Sequence, residues 1–219
     1  MAAASPTEDY SRFSLLLGRV AAQGVMKRYR RGVILMQEGE PGGTLFFVLS
    51  GLLRAYHARA DGREFTFGFY SAGETLGEMS LDGGKRSANV AVESAALCSF
   101  VTRSALERCI AQEPALAFEL LGLVARRARN ATTIAAELAL DQVYDRLVRL
   151  LHAGSVIEED DIRRMAYPLT QEQMAQQIGC ARTMVTKLLG DLVKAGCLRQ
   201  EKRPQGRVWV ILKPLPAGW

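Results

Sequence analysis

Histidine is nearly missing from this chain of 219 residues: only His57 and His152 occur. Neither has a nucleophile or a second base placed near it in sequence, so histidine-driven acid–base chemistry has no support. The four cysteines, Cys98, Cys109, Cys180 and Cys197, include no C-x-x-C pair, which leaves no zinc or iron–sulfur spacing. They read as small buried apolar residues of a reducing compartment. No P-loop and no nucleophile–base constellation is present, so no catalytic residues and no metal ligands are assigned and the chain is not read as an enzyme. No apolar run approaches the ~20 residues that a membrane span requires. Glu8 and Asp9 precede Phe13–Leu17, the reverse of the charge order of a signal peptide. The expected location is the cytoplasm, with no membrane partner.

What is present is a concentration of positive charge. The chain carries a net charge of +5. Between Thr170 and Lys213 eight bases stand against three acids, so the whole excess lies in the last fifth of the sequence, as a nucleic-acid footprint would. Upstream, residues 1–12 are small and polar. From about Arg30 to Val101 short apolar runs alternate with glycine signals such as Gly39-Glu40-Pro41-Gly42-Gly43, Asp61-Gly62 and Asp82-Gly83-Gly84. Glu64–Phe69 alternates as a half-buried strand does. Many short strands with regular turns predict a closed or nearly closed β-barrel.

After Pro114 the period becomes helical, and it stays so to Leu140. Leu120, Val124, Arg127, Ala131, Ile134 and Leu138 fall in alternating steps of four and three, a heptad seam by which a helix pairs with a copy of itself. Burial of the same stripe against the barrel is the rival reading. Arg127 on that seam requires an anion or a carboxylate to meet it. Asp141–His152 forms a further amphipathic helix, and Gly154–Arg164 reads as a surface loop.

The basic C-terminal segment carries the clearest punctuation. Thr170 and Gln173 form a capping box for a helix over Gln171–Ile178, and Gly179 supplies a tight turn. A second helix over Ala181–Ala195 buries Val185, Leu188, Leu189 and Leu192, leaving Arg182, Thr183, Thr186 and Lys187 exposed on its first half. A recognition helix enters the major groove by that end, and arginine there can meet guanine O6 and N7 together. Beyond Gly196, two short strands flank the tip Lys202-Arg203-Pro204-Gln205-Gly206, a hairpin wing with bases placed for phosphates. Helix, turn, helix and wing together predict binding to double-stranded DNA. A plain three-helix interaction domain with a solvated basic surface is the blander reading.

One barrel segment, Gly77-Glu78-Met79-Ser80-Leu81-Asp82-Gly83-Gly84-Lys85-Arg86-Ser87-Ala88, has the donors for a phosphate and an acceptor for a sugar hydroxyl. A polar turn closed by a Glu78–Arg86 ion pair is the alternative. The order of these features resembles the catabolite-activator (CRP–FNR) family of bacterial regulators over about residues 15–212. The resemblance rests on the barrel glycines, Gly-Glu…Arg-Ser-Ala, the long helix ending Leu138-Ala139-Leu140, and Ile178-Gly179-Cys180-Ala181-Arg182. It implies an α+β chain: a jelly-roll barrel of cyclic-nucleotide-binding type (1–112), a dimerisation helix (113–140) and a winged helix-turn-helix (141–219).

By that resemblance Gly77, Glu78, Arg86, Ser87 and Ala88 hold the ribose and cyclic phosphate, joined by Arg127, Thr132 and Thr133 from the long helix. Arg182 and Lys187 match base readers, and Thr170 and Gln171 match backbone contacts; Thr183, Thr186, Lys202 and Arg203 complete the expected DNA surface. The implied effector is cyclic AMP or cyclic GMP, and the implied partners are a second copy of the chain and RNA polymerase. The sequence departs from the family in three places. The Glu78–Arg86 spacer is one or two residues short, and Ala131 replaces a base-contacting threonine, for which Thr132 and Thr133 are the substitutes. Thr183 replaces a glutamate that reads cytosine, so a changed operator is expected. The oxygen-sensing branch's N-terminal cysteine cluster is lacking. Two alternatives stay open: a barrel that needs no ligand or takes cyclic di-GMP, and a nucleotide-sensing subunit of a partner enzyme.

Overall fold

The computed structural model describes residues 10–158, 162–204 and 206–216. The chain divides into two compact units, Met1–Ala131 and Thr132–Trp219. In the first, Ser14 caps helix α1 (Leu15–Ala22) by accepting from Leu17 N, and strands β1 (Val25–Tyr29) and β2 (Ile34–Met36) follow. Next come β3 (Thr44–Ala58), β4 (Glu64–Tyr70), β5 (Thr75–Leu76), a 3-10 turn over Glu78–Ser80 and β6 (Asn89–Thr102). Helices α2 (Arg103–Gln112) and α3 (Ala115–Leu140) complete this part of the chain.

The two long strands β3 and β6 form the spine of a rolled antiparallel sheet in the order β1-β6-β3-β4, with β2 paired to β6 and β5 to β3. Their register slips near Ser50 and Leu52, and such bulges bend a sheet and let it roll. Gly51 lies at that bend with φ +93°, and a Cβ there would stand 2.5 Å from Ala95 O. Before the bend, β3 alternates between two cores. Leu45, Phe47 and Leu49 pack with α1, α2 and α3 through Leu17, Val20, Leu106, Leu116 and Leu120. Phe46 and Val48 face the interior of the roll with Leu76, Val90 and Val92. The expected barrel and long helix are therefore present, the helix at Ala115–Leu140.

The residues of the expected seam on α3 fall in two surroundings. Leu120 is buried in the first unit's own core and Arg127 is turned to the barrel. The apolar line left outside runs through Leu121, Ala128, Ala131, Ala135 and Leu138, with Val124 half-buried. It keeps heptad spacing and shares Val124, Ala131 and Leu138 with the expected seam. The physical reason is that periodicity gives the stripe but not the side already covered.

The second unit begins with the last turns of α3 and continues with α4 (Val143–Ala153), β7 (Ser155–Ile157), β8 (Arg163–Met165), α5 (Gln171–Ile178), α6 (Arg182–Lys194), β9 (Leu198–Arg203) and β10 (Gly206–Ile211). Here the expected loop at Gly154–Arg164 is corrected: β7 and β8 pair, and the sheet runs β7-β8-β10-β9. The pattern was hidden because β7 leaves Val156 and Ile157 exposed, without alternation. Leu147, Leu151, Met174, Ile178, Val185, Leu189 and Leu192 fill this unit's core. Among the described residues no helix is long and apolar enough to cross a membrane, and no group of metal-binding side chains gathers.

Candidate functional site

The short strand β5 delivers the chain into a turn that only glycine can make. Gly77 has φ +96°, and a Cβ on it would lie 2.5 Å from Thr44 O and 2.8 Å from Arg86 Nη1. Glu78 follows at 4% exposure. Its Oε1 accepts from Arg127 Nε at 2.8 Å, while Arg127 Nη2 donates to Thr75 O at 2.9 Å. The guanidinium also lies 4.4 Å from the centre of the Tyr70 ring. Burial pulls the Arg127 guanidinium down, but Tyr70, Glu78 and Glu74 together outweigh it, so its charge is secure. Glu78 therefore pairs with Arg127; the ion pair with Arg86 does not form. Its second oxygen, Oε2, is buried with no hydrogen-bond partner, a costly state for an acceptor unless a donor arrives.

Arg86 is in the opposite condition. Its Nη1 donates to Ser80 Oγ at 2.9 Å and to Gly77 O at 3.3 Å, and its Nη2 to Thr44 O at 3.0 Å. These partners are neutral, and among the described residues no carboxylate reaches it. Burial lowers its proton affinity, against a weaker opposing pull from Glu78 and Glu40. A half-buried guanidinium held in place but not neutralised can receive an anion. The short loop before it is well tied: Arg86 N donates to Glu40 O at 2.8 Å, Gly39 N to Arg86 O at 2.9 Å and Gly42 N to Gly84 O at 3.1 Å. Ser87 beside it is exposed and Ala88 half-buried. Gly77, Glu78, Arg86 and Arg127 are thus brought together in the first unit. Thr132 and Thr133 are exposed positions of the second.

In the second unit Thr170 and Gln173 form the expected capping box, with bonds of 3.1 and 2.9 Å. Gly179 takes φ +66° at the end of α5, which sets the turn into α6. Arg182, Thr183, Thr186 and Lys187 are all exposed along the first half of α6. Thr186 Oγ1 donates to Gln171 Oε1 at 2.6 Å, so one expected DNA contact orients another across the helix pair.

The wing holds a surprise. Arg203 Nε donates to Glu201 at 2.6 Å and Nη2 to Glu158 at 2.9 Å. Arg164, 6% exposed, reaches the same two acids at 3.4 and 3.3 Å. Arg203 is therefore committed within the protein, whereas Lys202 stays exposed beside Arg207, its cross-strand neighbour. Tyr70 and Thr44 were missed from sequence, and Ser80, inside the Gly77–Ala88 segment, was given no role; only the alternation of Glu64–Phe69, continued by one residue, hints at Tyr70. Gln205 lies outside the described residues.

The comparisons with known proteins agree with this division. Residues 26–113 match the cyclic nucleotide-binding domain family and residues 141–214 the Crp-like helix-turn-helix domain family. A CRP-like cAMP-activated global transcriptional regulator of Mycobacterium tuberculosis is 31% identical over 177 residues, 79% of each chain. The CRP-like protein Clp of Xanthomonas campestris is 26% identical over 193 residues, 82% of each. The solved structure of the c-di-GMP responsive global regulator CLP from Xanthomonas campestris superposes with a TM-score of 0.74 at 24% identity, covering 91% of this chain and 99% of that one. The Mycobacterium tuberculosis relative is named a transcriptional regulator and the Xanthomonas campestris structure a global regulator. The chain belongs to the CRP-like family of ligand-responsive, DNA-binding transcriptional regulators.

Proposed function

We propose that this regulator is a homodimer whose affinity for a two-fold operator rises when a cyclic mononucleotide, cyclic AMP or cyclic GMP, fills the cradle around Glu78 and Arg86. The observation that carries this is the pair of opposite deficits in one turn of chain. Glu78 Oε2 is a buried acceptor lacking a donor, and Arg86 is a fixed cation lacking an anion. A ribose hydroxyl and a singly charged cyclic phosphate would remove both deficits together. The cradle offers one such cation, which suits one phosphate better than the two of cyclic di-GMP. The shortened spacer does not argue against phosphate capture, since its turn is closed by backbone bonds on both sides.

The exposed line Leu121–Leu138 on α3 is the surface for a second copy. There Ala131, Thr132 and Thr133 would meet the base, so purine selectivity rests on these residues. Arg182, Thr183, Thr186 and Lys187 would read the operator, while Thr170, Gln171 and Lys202 hold its backbone. The working division is 1–112 for sensing, 113–140 for dimerisation and 141–219 for DNA, in a cytoplasmic protein that acts on RNA polymerase. A ligand acts here only through different affinities for two arrangements of the protein.

Calorimetry with cyclic AMP, cyclic GMP and cyclic di-GMP, beside a DNA mobility-shift series with the same ligands and none, tests this reading. A cyclic mononucleotide should bind once per protomer and tighten the DNA complex. Tight DNA binding unaffected by any of the three would refute ligand gating, and a response to cyclic di-GMP alone would reassign the cradle.

A further inference from the structure

Behind the cradle lies a separate cavity of about 700 Å³ within the first unit, between the segment before α1, the turn leading to β5, and α3. Thr75 and Arg127 form part of its wall, but Gly77, Glu78, Ser80 and Arg86 do not. Its volume falls within the usual range for small-molecule sites. Its apolar lining includes Phe13, Leu17, Leu123 and Phe118, and Phe118 is 79% exposed. Its polar lining includes Arg126 and Asn130 from successive turns of α3.

Two features set this cavity apart from an ordinary packing gap. Gly122 forms part of its wall from the middle of a 26-residue helix, where glycine is the poorest helix former short of proline. A Cβ at that place would approach nothing but the flexible end of Arg126, at 3.5 Å. Helix packing therefore does not demand glycine there, and a larger side chain at this point would reach into the cavity. Second, Arg126 makes no ion pair among the described residues, although two acids share the cavity. Those acids are oriented by neutral donors, Glu119 by Ser14 Oγ and Glu74 by Ser71 N at 2.6 Å. Arg12 and Arg127 line the cavity beside Arg126, so bases exceed acids on its wall by one.

We infer that this cavity binds an organic monocarboxylate with an apolar body, the carboxylate on Arg126 and Asn130 and the body along Phe13, Leu123 and Phe118. Arginine forms paired hydrogen bonds with a carboxylate. A wall with one basic side chain in excess suits a monoanion better than a dianionic phosphate. Arg127 ties this wall to Glu78, so an occupant here touches the residue that closes the nucleotide cradle from behind. The site itself stands whether or not the cradle takes a nucleotide.

The test uses the full chain and sodium decanoate in calorimetry, with decyltrimethylammonium and decyl phosphate as the cationic and dianionic counterparts. Decanoate should bind once per protomer, at least tenfold tighter than either counterpart. Gly122→Leu, which fills the space, and Arg126→Glu, which reverses the charge, should each weaken it at least tenfold, with unchanged far-ultraviolet circular dichroism. If Gly122→Leu does not fold, Arg126→Glu still decides the matter. Excess cyclic AMP should not displace decanoate in proportion to its own occupancy. The inference fails if decanoate gives no saturable heat, if the cation binds equally well, if folded variants bind as the parent does, or if cyclic AMP competes. It also fails if sedimentation shows Gly122→Leu splitting a dimer into protomers, since the cavity would then be an interface between copies.

Discussion

Arg86 in the barrel and Arg203 in the wing both stand in motifs that suggest phosphate binding, yet their surroundings differ in kind. Arg86 is held by two backbone carbonyls and a serine hydroxyl, with no acid in reach among the described residues. Arg203 is clamped between Glu158 and Glu201, with buried Arg164 bracing the same acids. Counting bases along the sequence treats the two alike. Pairing separates them: an oriented and uncompensated cation is available to an incoming anion, and a paired one holds the fold. By the same criterion Arg127, paired with Glu78, is structural first, and Arg182 and Lys187, exposed on α6, are the charges proposed to read DNA.

The largest expected effect breaks the paired side of this comparison. Arg127→Met would leave Glu78 buried opposite no cation. Removing one partner of a buried pair costs about 3–5 kcal/mol, and the quarter-exposed Arg127 side chain places the loss near the lower end. Urea unfolding should show it, and the double variant with Glu78→Gln should recover much of the loss. Equal loss in single and double variants would mean that packing against Tyr70, not the ion pair, carries the stability. Second in size is Arg86→Leu, for which cyclic mononucleotide affinity should fall about 100-fold, or about 2.8 kcal/mol at 1.4 kcal/mol per tenfold. Stability should change by less than about 1 kcal/mol, since no buried acid is orphaned. Full nucleotide binding by this variant in calorimetry would remove Arg86 from the cradle.

Much of this was legible in the sequence, and the reasons differ by region. The capping box at Thr170, the glycine turn at Gly179 and the buried series Val185, Leu188, Leu189 and Leu192 are local patterns, and they read directly. The Gly77–Ala88 segment is contiguous, so its residues were found together. What escaped is long-range. Leu120 and Arg127 of the expected seam face the first unit instead, because the sequence does not say which flank of the helix its own barrel covers. Arg127 was known to need a counter-charge, but Glu78 lies 49 residues earlier. Glu158, which pairs with Arg203, lies 45 residues before it, in a segment whose strands show no alternation.

The third prediction concerns the available charges of α6. Arg182→Ala should cost about 1–3 kcal/mol of binding to the preferred operator, as expected for loss of a bidentate base contact. It should cost little on unrelated DNA, and competition between the two duplexes in mobility-shift assays measures the difference. An equal loss on both would make Arg182 a phosphate contact.

The smallest effect bears most directly on the wing. Lys202→Ala should lower the slope of log affinity against log salt by about 1, the signature of one lost phosphate contact. Arg203→Ala should leave that slope unchanged, because its charge is already spent on Glu158 and Glu201. Burial tends to raise the Glu201 carboxyl, but the bonds from Arg203 and Arg164 outweigh it and hold the carboxyl below its usual range. A carboxylate lowered in this way stays ionised above its unfolded value and loses its contribution only as pH falls through the lower, folded one. The contrast between the two variants should therefore persist across the neutral range. If Arg203→Ala flattens the salt dependence as much as Lys202→Ala does, the clamp opens on DNA, and pairing in the free protein is not the criterion that separates structural from functional charge.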